Sequence, residues 1–500
     1  MPGLKLPGIA GGGESYSKAP KVLVTKPETI SDLGWLRWAI PLTALALWLA
    51  GLPAPHPDDL FFGGAAIHLA EGHGMGNPWV GNWLQGHFQT DRFYVQLPYH
   101  TTLLGNWLRV TGVSTAALRA FALLGATLGA FGLADALRRG GAGRRWIAAA
   151  CGLWTIFLLY YGIRADSLGL GLIAAGHLLL VRQRPAAQIP GLWLAGLGAA
   201  SHPFALAVAL PVVGSHFIVA WSRQPLDRRL RFTIGAFAAG LVGAAAIVGL
   251  GYVMIGGEVS EFLRVFNAHK ALALPAPAQR WEFFYGQFLD GRENLRRLPF
   301  AAGAAVLLVI DAWRNRGAPH MWWLVAGIVL LGVTGYFLYA QYSARYLVFA
   351  LFISLTLTTR AHSSRVWRCS LATFLVLATW SDALHLGVRV LRPAGTYVTA
   401  LRSTIASSSH PHIVLDEFTV RYLYDFQPPA RTRDWSVGRP AGGRPMGFPI
   451  ASKPADEIWV VSAYKLAHTV SGSDVTPRYL EVAGRQLRSI ELGVDLRAIP

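Results

Sequence analysis

A series of long apolar runs punctuated by arginines constrains this chain more than any other feature. The runs lie at 35–52, 115–137, 146–163, 166–181, 190–201, 203–221, 232–255, 299–313, 321–339, 345–359 and 369–389. A bilayer-spanning helix needs roughly 20 predominantly apolar residues. The spacing therefore predicts a mainly α protein, a polytopic membrane helical bundle of about eleven spans. Basic clusters separate the runs: Arg138, Arg139, Arg144 and Arg145; Arg182 and Arg184; Arg223, Arg228, Arg229 and Arg231; Arg314 and Arg316; Arg360, Arg365 and Arg368. Loops rich in Lys and Arg stay in the cytoplasm. Eleven crossings put every cluster there, with the N-terminus inside and the C-terminus outside.

Charge content agrees with this scheme. Only 14% of the 500 residues are charged, against roughly 25% in a soluble domain. That excludes a water-soluble enzyme, a disordered chain and a nucleic-acid-binding domain. The net charge of +18 comes from the short clusters between apolar runs, not from a basic face that could follow a phosphate backbone. Cys151, inside a run, and Cys369, beside Arg368, are not placed for a disulfide, and no metal-ligand spacing occurs.

Three modules follow. Residues 1–33 form a polar cytoplasmic tail with Lys5, Lys18, Lys21 and Lys26; their length favours an uncleaved anchor over a signal peptide. Residues 34–390 form the transmembrane module, with large outer loops at about 53–114 and 256–298. Within the first loop, Gln96–Val110 is only moderately apolar and holds His100, Asn106 and Arg109, so it reads as a helix lying in the interface. Ser201-His202-Pro203 interrupts the apolar sequence and predicts two short helices meeting there. Residues 391–500 form a small outer α/β domain, with strand-like runs at His412–Phe418 and Glu457–Ala463. No internal repeat or heptad pattern is present.

Candidate chemistry concentrates in the outer regions. His56-Pro57-Asp58-Asp59-Leu60 puts adjacent carboxylates directly after the first span. A partly desolvated carboxylate at a membrane surface can serve as general base toward a hydroxyl. An Asp before Leu60 can equally cap a helix, and the two roles are compatible. His73, Asn77, Trp79, Trp83, His87, Asp91, Arg92, Tyr94 and His100 follow. They form either an aromatic belt or a surface on which sugar rings stack. Arg164 and Asp166 sit at an outer span end, and Arg345-Tyr346 between two later spans. These arginines, with His269 and Lys270 of the second loop, are either snorkelling or surface-paired or hold a phosphate. His177 and His216 lie mid-span without an acidic partner, which favours an interhelical hydrogen bond over a proton relay.

In order and type these features resemble the glycosyltransferase-C superfamily, in its protein O-mannosyltransferase and lipid A aminoarabinose transferase branch. The matching elements are Asp58-Asp59 after the first span, Leu97-Pro98-Tyr99-His100 on a surface helix, Thr111-Gly112-Val113 through Arg119 entering the next span, Arg164 with Asp166, and Arg345-Tyr346. The likeness covers about residues 35–390. Two departures bear on substrate: the second acidic residue is Asp where Glu is commoner, and Leu97-Pro98 stands where a proline pair is commoner.

The resemblance implies a multi-pass enzyme of the bacterial inner membrane. Its donor would be a polyprenyl-phosphate sugar, and its acceptor a lipid, surface polysaccharide or protein hydroxyl, glycosylated with inversion. It implies Asp58 as base, Arg164 and Arg345 on the lipid phosphate, and Asp59 and Asp166 orienting sugar or arginines. His56, Arg92, Lys270 and Tyr346 would complete the substrate site. No cofactor is implied; related oligosaccharide transferases use a divalent cation, but this branch does not require one. Competing classes are a lipid or polysaccharide transporter without chemistry and an envelope assembly protein. Both would tolerate loss of the loop carboxylates.

Overall fold

The computed structural model describes residues 34–52, 59–78, 92–139, 144–160, 163–182, 185–222 and 224–273, and short strands between 412 and 498. The helices are α1 (Leu36–Leu49), α2 (Ala65–Ala70), α3 (Pro98–Thr111), α4 (Thr115–Arg139), α5 (Arg144–Tyr160), α6 (Ala165–Leu180), α7 (Pro185–Ser201), α8 (Pro203–Ser222), α9 (Leu226–Met254) and α10 (Val259–Ala273). A single π-helical turn, Leu60–Gly64, leads into α2. Each apolar run between 35 and 255 contains a helix; the runs at 299–313, 321–339, 345–359 and 369–389 lie outside the described residues.

Local chemistry sets several boundaries. α3 begins with Pro98 at its first position after an extended Leu97, where a missing N–H costs nothing. It stops at Gly112, whose φ of +85° suits glycine. Ser114 caps α4, its Oγ accepting from the Ala117 N–H at 3.1 Å. The α7–α8 break falls at His202, as the proline predicts. α3 has 14 residues, about 21 Å at 1.5 Å per residue. That is too short to cross a bilayer.

Two helical stretches among the described residues, Thr115–Asp135 and Leu226–Met254, are long and apolar enough to cross a membrane. On α9, apolar residues face outward on several sides, with Phe237 69% and Val242 71% exposed. An apolar face of this kind suits hydrocarbon or further helices, not water.

α6 packs between α4 and α7 through glycines. A Cβ on Gly125 would lie 2.6 Å from the Ser167 carbonyl oxygen, and one on Gly171 would strike the Gly125 carbonyl oxygen. On the opposite face a Cβ on Gly176 would lie 2.6 Å from the Gly191 oxygen, and Gly169 meets Gly198 in the same way. Small residues at helix contacts let backbones approach closely, as in membrane bundles. The first turn of α6 is tied to α4 by the Ser167 Oγ, which donates to the Ala122 carbonyl at 2.7 Å. A core of Phe62, Ala66, Ile67, Leu104, Leu108, Leu118, Phe121 and Leu168 joins the π turn, α2, α3, α4 and this end of α6.

In the C-terminal region β1 (His412–Leu415), β2 (Thr432–Asp434), β3 (Glu457–Ser462), β4 (Leu487–Ser489) and β5 (Val494–Ala498) form a mixed sheet in the order β2-β1-β3-β5-β4. The two strand-like runs of the sequence are β1 and β3. They pair in parallel with Ile413 opposite Ile458, while β5 runs antiparallel to β3.

Candidate functional site

Where the π turn, α3, α6 and α8 meet, charged groups are buried together. Asp59, 1% exposed, precedes the π turn. Its backbone is helical and its carboxylate makes no capping bond. Instead Oδ1 accepts from the Ile163 N–H at 3.0 Å, across 104 residues of chain. The capping role open to Asp59 is thus replaced by a long-range one. A carboxylate accepting a backbone N–H is a strong, charge-assisted bond, and here it fixes the residue immediately before Arg164.

Arg164 enters α6 in an extended conformation. Its Nε donates to Asp166 Oδ2 at 2.9 Å, with the two side chains 8% and 3% exposed. It is neither snorkelling nor surface-paired. The Arg164 guanidinium also sits over the Phe62 ring, 5.6 Å from its centroid. On the other side of Asp166, His202 Nδ1 approaches Oδ1 to 3.3 Å. The helix break at Ser201-His202-Pro203 thus delivers a histidine to the carboxylate.

His100, on the first turn of α3, completes the cluster. It is 1% exposed. Its ring meets Phe62 edge-on at 5.4 Å and Phe121 at 5.9 Å. Burial pushes its pKa down to about 3, opposed by the nearby Asp166 carboxylate and reinforced by His202. The imidazole is therefore neutral at pH 7. The sequence offers His100 within a polar and aromatic set that could stack on sugars and His202 at a helix break, but it does not place either beside Asp166.

Of the residues expected in the site, the structure brings together Asp59, Arg164 and Asp166. Asp58, His56, Arg345 and Tyr346 lie outside the described residues, as do Trp79, Trp83, His87 and Asp91. Lys270 lies on α10. Arg92 belongs to a second cluster: its Nη2 is 2.8 Å from Glu258 Oε1. The Tyr94 hydroxyl donates to Glu258 Oε2 at 2.9 Å. Burial, then the bond to Glu258, pushes the Tyr94 phenol up to about 12. Its ring contacts Phe262 at 5.7 Å. These contacts join the first loop of the sequence scheme to the start of the second. Beside them Glu261 is held below the usual carboxylate range by its bond from Arg264.

His177 Nδ1 and His216 Nε2 are 3.0 Å apart, an α6–α8 hydrogen bond in which one ring donates and the other accepts. Among the described residues no group of three or more His, Cys, Asp or Glu is arranged to hold a metal ion. No family model, curated protein or solved structure matches the chain.

Proposed function

We propose that the protein is an integral-membrane glycosyltransferase of the glycosyltransferase-C type. It moves a sugar from a polyprenyl-phosphate donor to a hydroxyl acceptor on the outer face of a bacterial inner membrane, with inversion. One observation carries the reading. Asp59 of the acidic pair and the Arg164–Asp166 pair, distant in sequence, share one buried cluster linked through the Ile163 backbone. Buried, mutually held charges are costly for folding alone, and they concentrate where charge must be stabilised during reaction.

In this mechanism Asp58 takes the proton of the acceptor hydroxyl as its oxygen attacks the anomeric carbon. The bond from that carbon to the phosphate oxygen breaks, and the leaving lipid phosphate keeps the electron pair. Arg164, held in orientation by Asp166 and over Phe62, meets the developing charge together with Arg345. A preorganised cation at such a position stabilises the transition state more than the ground state. Asp59, bonded to the backbone beside Arg164, positions that arginine rather than taking the proton. In this reading about eleven crossings carry the module, and residues 391–500 form an outer domain.

The test uses purified protein in nanodiscs with a panel of polyprenyl-phosphate sugars and an envelope extract as acceptor. Release of free polyprenyl phosphate is followed for wild type, Asp58→Asn and Asp59→Asn. Release is expected from the wild type, with loss in Asp58→Asn and a partial decrease in Asp59→Asn. Equal release by all three would sink the carboxylate mechanism and move the reading to a transporter or assembly protein.

A further inference from the structure

His100 raises a question that the mechanism above does not answer. Among the described residues, neither of its ring nitrogens has a hydrogen-bond partner. The Ile163 backbone, which also receives Asp59, comes near the ring, but without the geometry of a hydrogen bond. A neutral imidazole carries one donor and one acceptor. Leaving a buried polar group unmade costs about 1–3 kcal/mol. The surroundings are the aromatic edges of Phe62 and Phe121, which a phenylalanine would fill without that penalty. Among the described residues, packing therefore does not explain a histidine here, and a residue that works against its own packing marks a functional position.

The chemistry of the ring narrows the partner. Kept neutral by burial, it adds no positive charge toward a phosphate. An anion would engage its donor alone, and an ammonium its acceptor alone. A hydroxyl both donates and accepts, so a pair of neighbouring hydroxyls satisfies both nitrogens. Phe62 contacts both His100 and Arg164, so the unpartnered nitrogens belong to the same cluster as the arginine proposed to hold the phosphate. A group seated on Arg164 through its phosphate would bring its sugar within this neighbourhood.

We propose that His100 is a substrate-binding residue that reads the transferred sugar by hydrogen bonds to its hydroxyls. The inference rests on the glycosyl-transfer reading and adds to it the residue that distinguishes a sugar-bearing lipid phosphate from a bare one.

The experiment uses the full chain in nanodiscs as wild type, His100→Phe and His100→Gln. Unfolding midpoints are measured without ligand, with undecaprenyl phosphate, and with undecaprenyl-phosphate sugars; affinities come from the concentration dependence of the shifts. Without ligand, His100→Phe is expected to melt at or above wild type. It should bind undecaprenyl phosphate as wild type does, yet lose about tenfold or more in affinity for the sugar-bearing lipid, the equivalent of one lost hydrogen bond. His100→Gln, which keeps a donor and an acceptor, should recover part of that preference. A His100→Phe protein that melts well below wild type shows a structural histidine and overturns the inference. So does an undiminished preference for the sugar-bearing lipid. Wild type that binds neither lipid removes the glycosyl-transfer reading itself, a result distinct from both.

Discussion

Breaking the Arg164–Asp166 pair one partner at a time should be far more damaging than removing both. The pair is buried to 8% and 3% exposure, with Nε and Oδ2 2.9 Å apart. Taking away one member of such a pair leaves an uncompensated buried charge, at a cost of about 3–5 kcal/mol. Replacing both by apolar groups of similar volume is often close to neutral. Arg164→Met and Asp166→Leu should therefore each destabilise by roughly 3–5 kcal/mol. The double variant should lie within about 1–2 kcal/mol of wild type, where additivity would require about 6–10. The two single costs need not be equal. Loss of Arg164 still leaves Asp166 with His202 at 3.3 Å as a neighbour, so Arg164→Met should fall at the lower end. The assay is reversible unfolding in mixed micelles, followed by loss of helical circular dichroism as denaturing detergent increases. A cost of 3 kcal/mol lowers the folding constant by more than a hundredfold, well within reach of that titration. Single variants costing under about 1 kcal/mol, or a double variant that merely sums them, would refute the idea of a sequestered, coupled pair.

His100 should also make the protein acid-sensitive. Its folded pKa lies near 3 against an ordinary 6.5, so only the unfolded chain gains a proton as pH falls below 6.5, and stability drops progressively between those values. This limb, measured as the difference between wild type and His100→Phe against Asp166 and His202 as common background, should vanish in the variant; identical pH profiles would contradict it. Gly171→Val should cost several kcal/mol, because its side chain would strike the α4 backbone at Gly125 and force two helices apart. A change below about 1 kcal/mol in the same unfolding titration would mean that α4 and α6 are not in backbone contact.

How far the sequence leads depends on the range of the interaction concerned. Helix positions from Leu36 to Met254 follow from local facts: apolar runs bounded by arginines, Pro98 at a helix start and Pro203 after a break. β1 and β3 follow from short β-branched and aromatic runs. Asp59, Arg164 and Asp166 were readable because charges are conspicuous in an acid-poor chain. Their partners were not. The Asp59 bond to Ile163 spans 104 residues, and no periodicity encodes it, so a helix cap was the natural local reading. The same holds for Arg92, whose partner Glu258 lies on the far side of seven intervening helices in sequence, α3 to α9. The sequence puts His100 on an interfacial helix among other polar groups, but its burial under Phe62 and Phe121 is a property of packing. For His202 a signal did exist, a histidine directly before the helix-breaking proline, but its direction toward Asp166 is a property of packing.

The glycine contacts of α6 also divide the cluster into a stiff half and an adaptable half. Arg164 and Asp166 ride at the start of a helix whose backbone touches the backbones of α4 and α7, so their position is set by backbone contact. Substitutions at those glycines change the position of a helix before they change its side-chain contacts. The other half, Phe62 of the π turn and His100 of α3, meets through side chains that can be swapped one at a time. Under the proposed function, divergence in substrate, whether arising in nature or by selection in the laboratory, should therefore accumulate on the π turn and α3 while α6 stays unchanged.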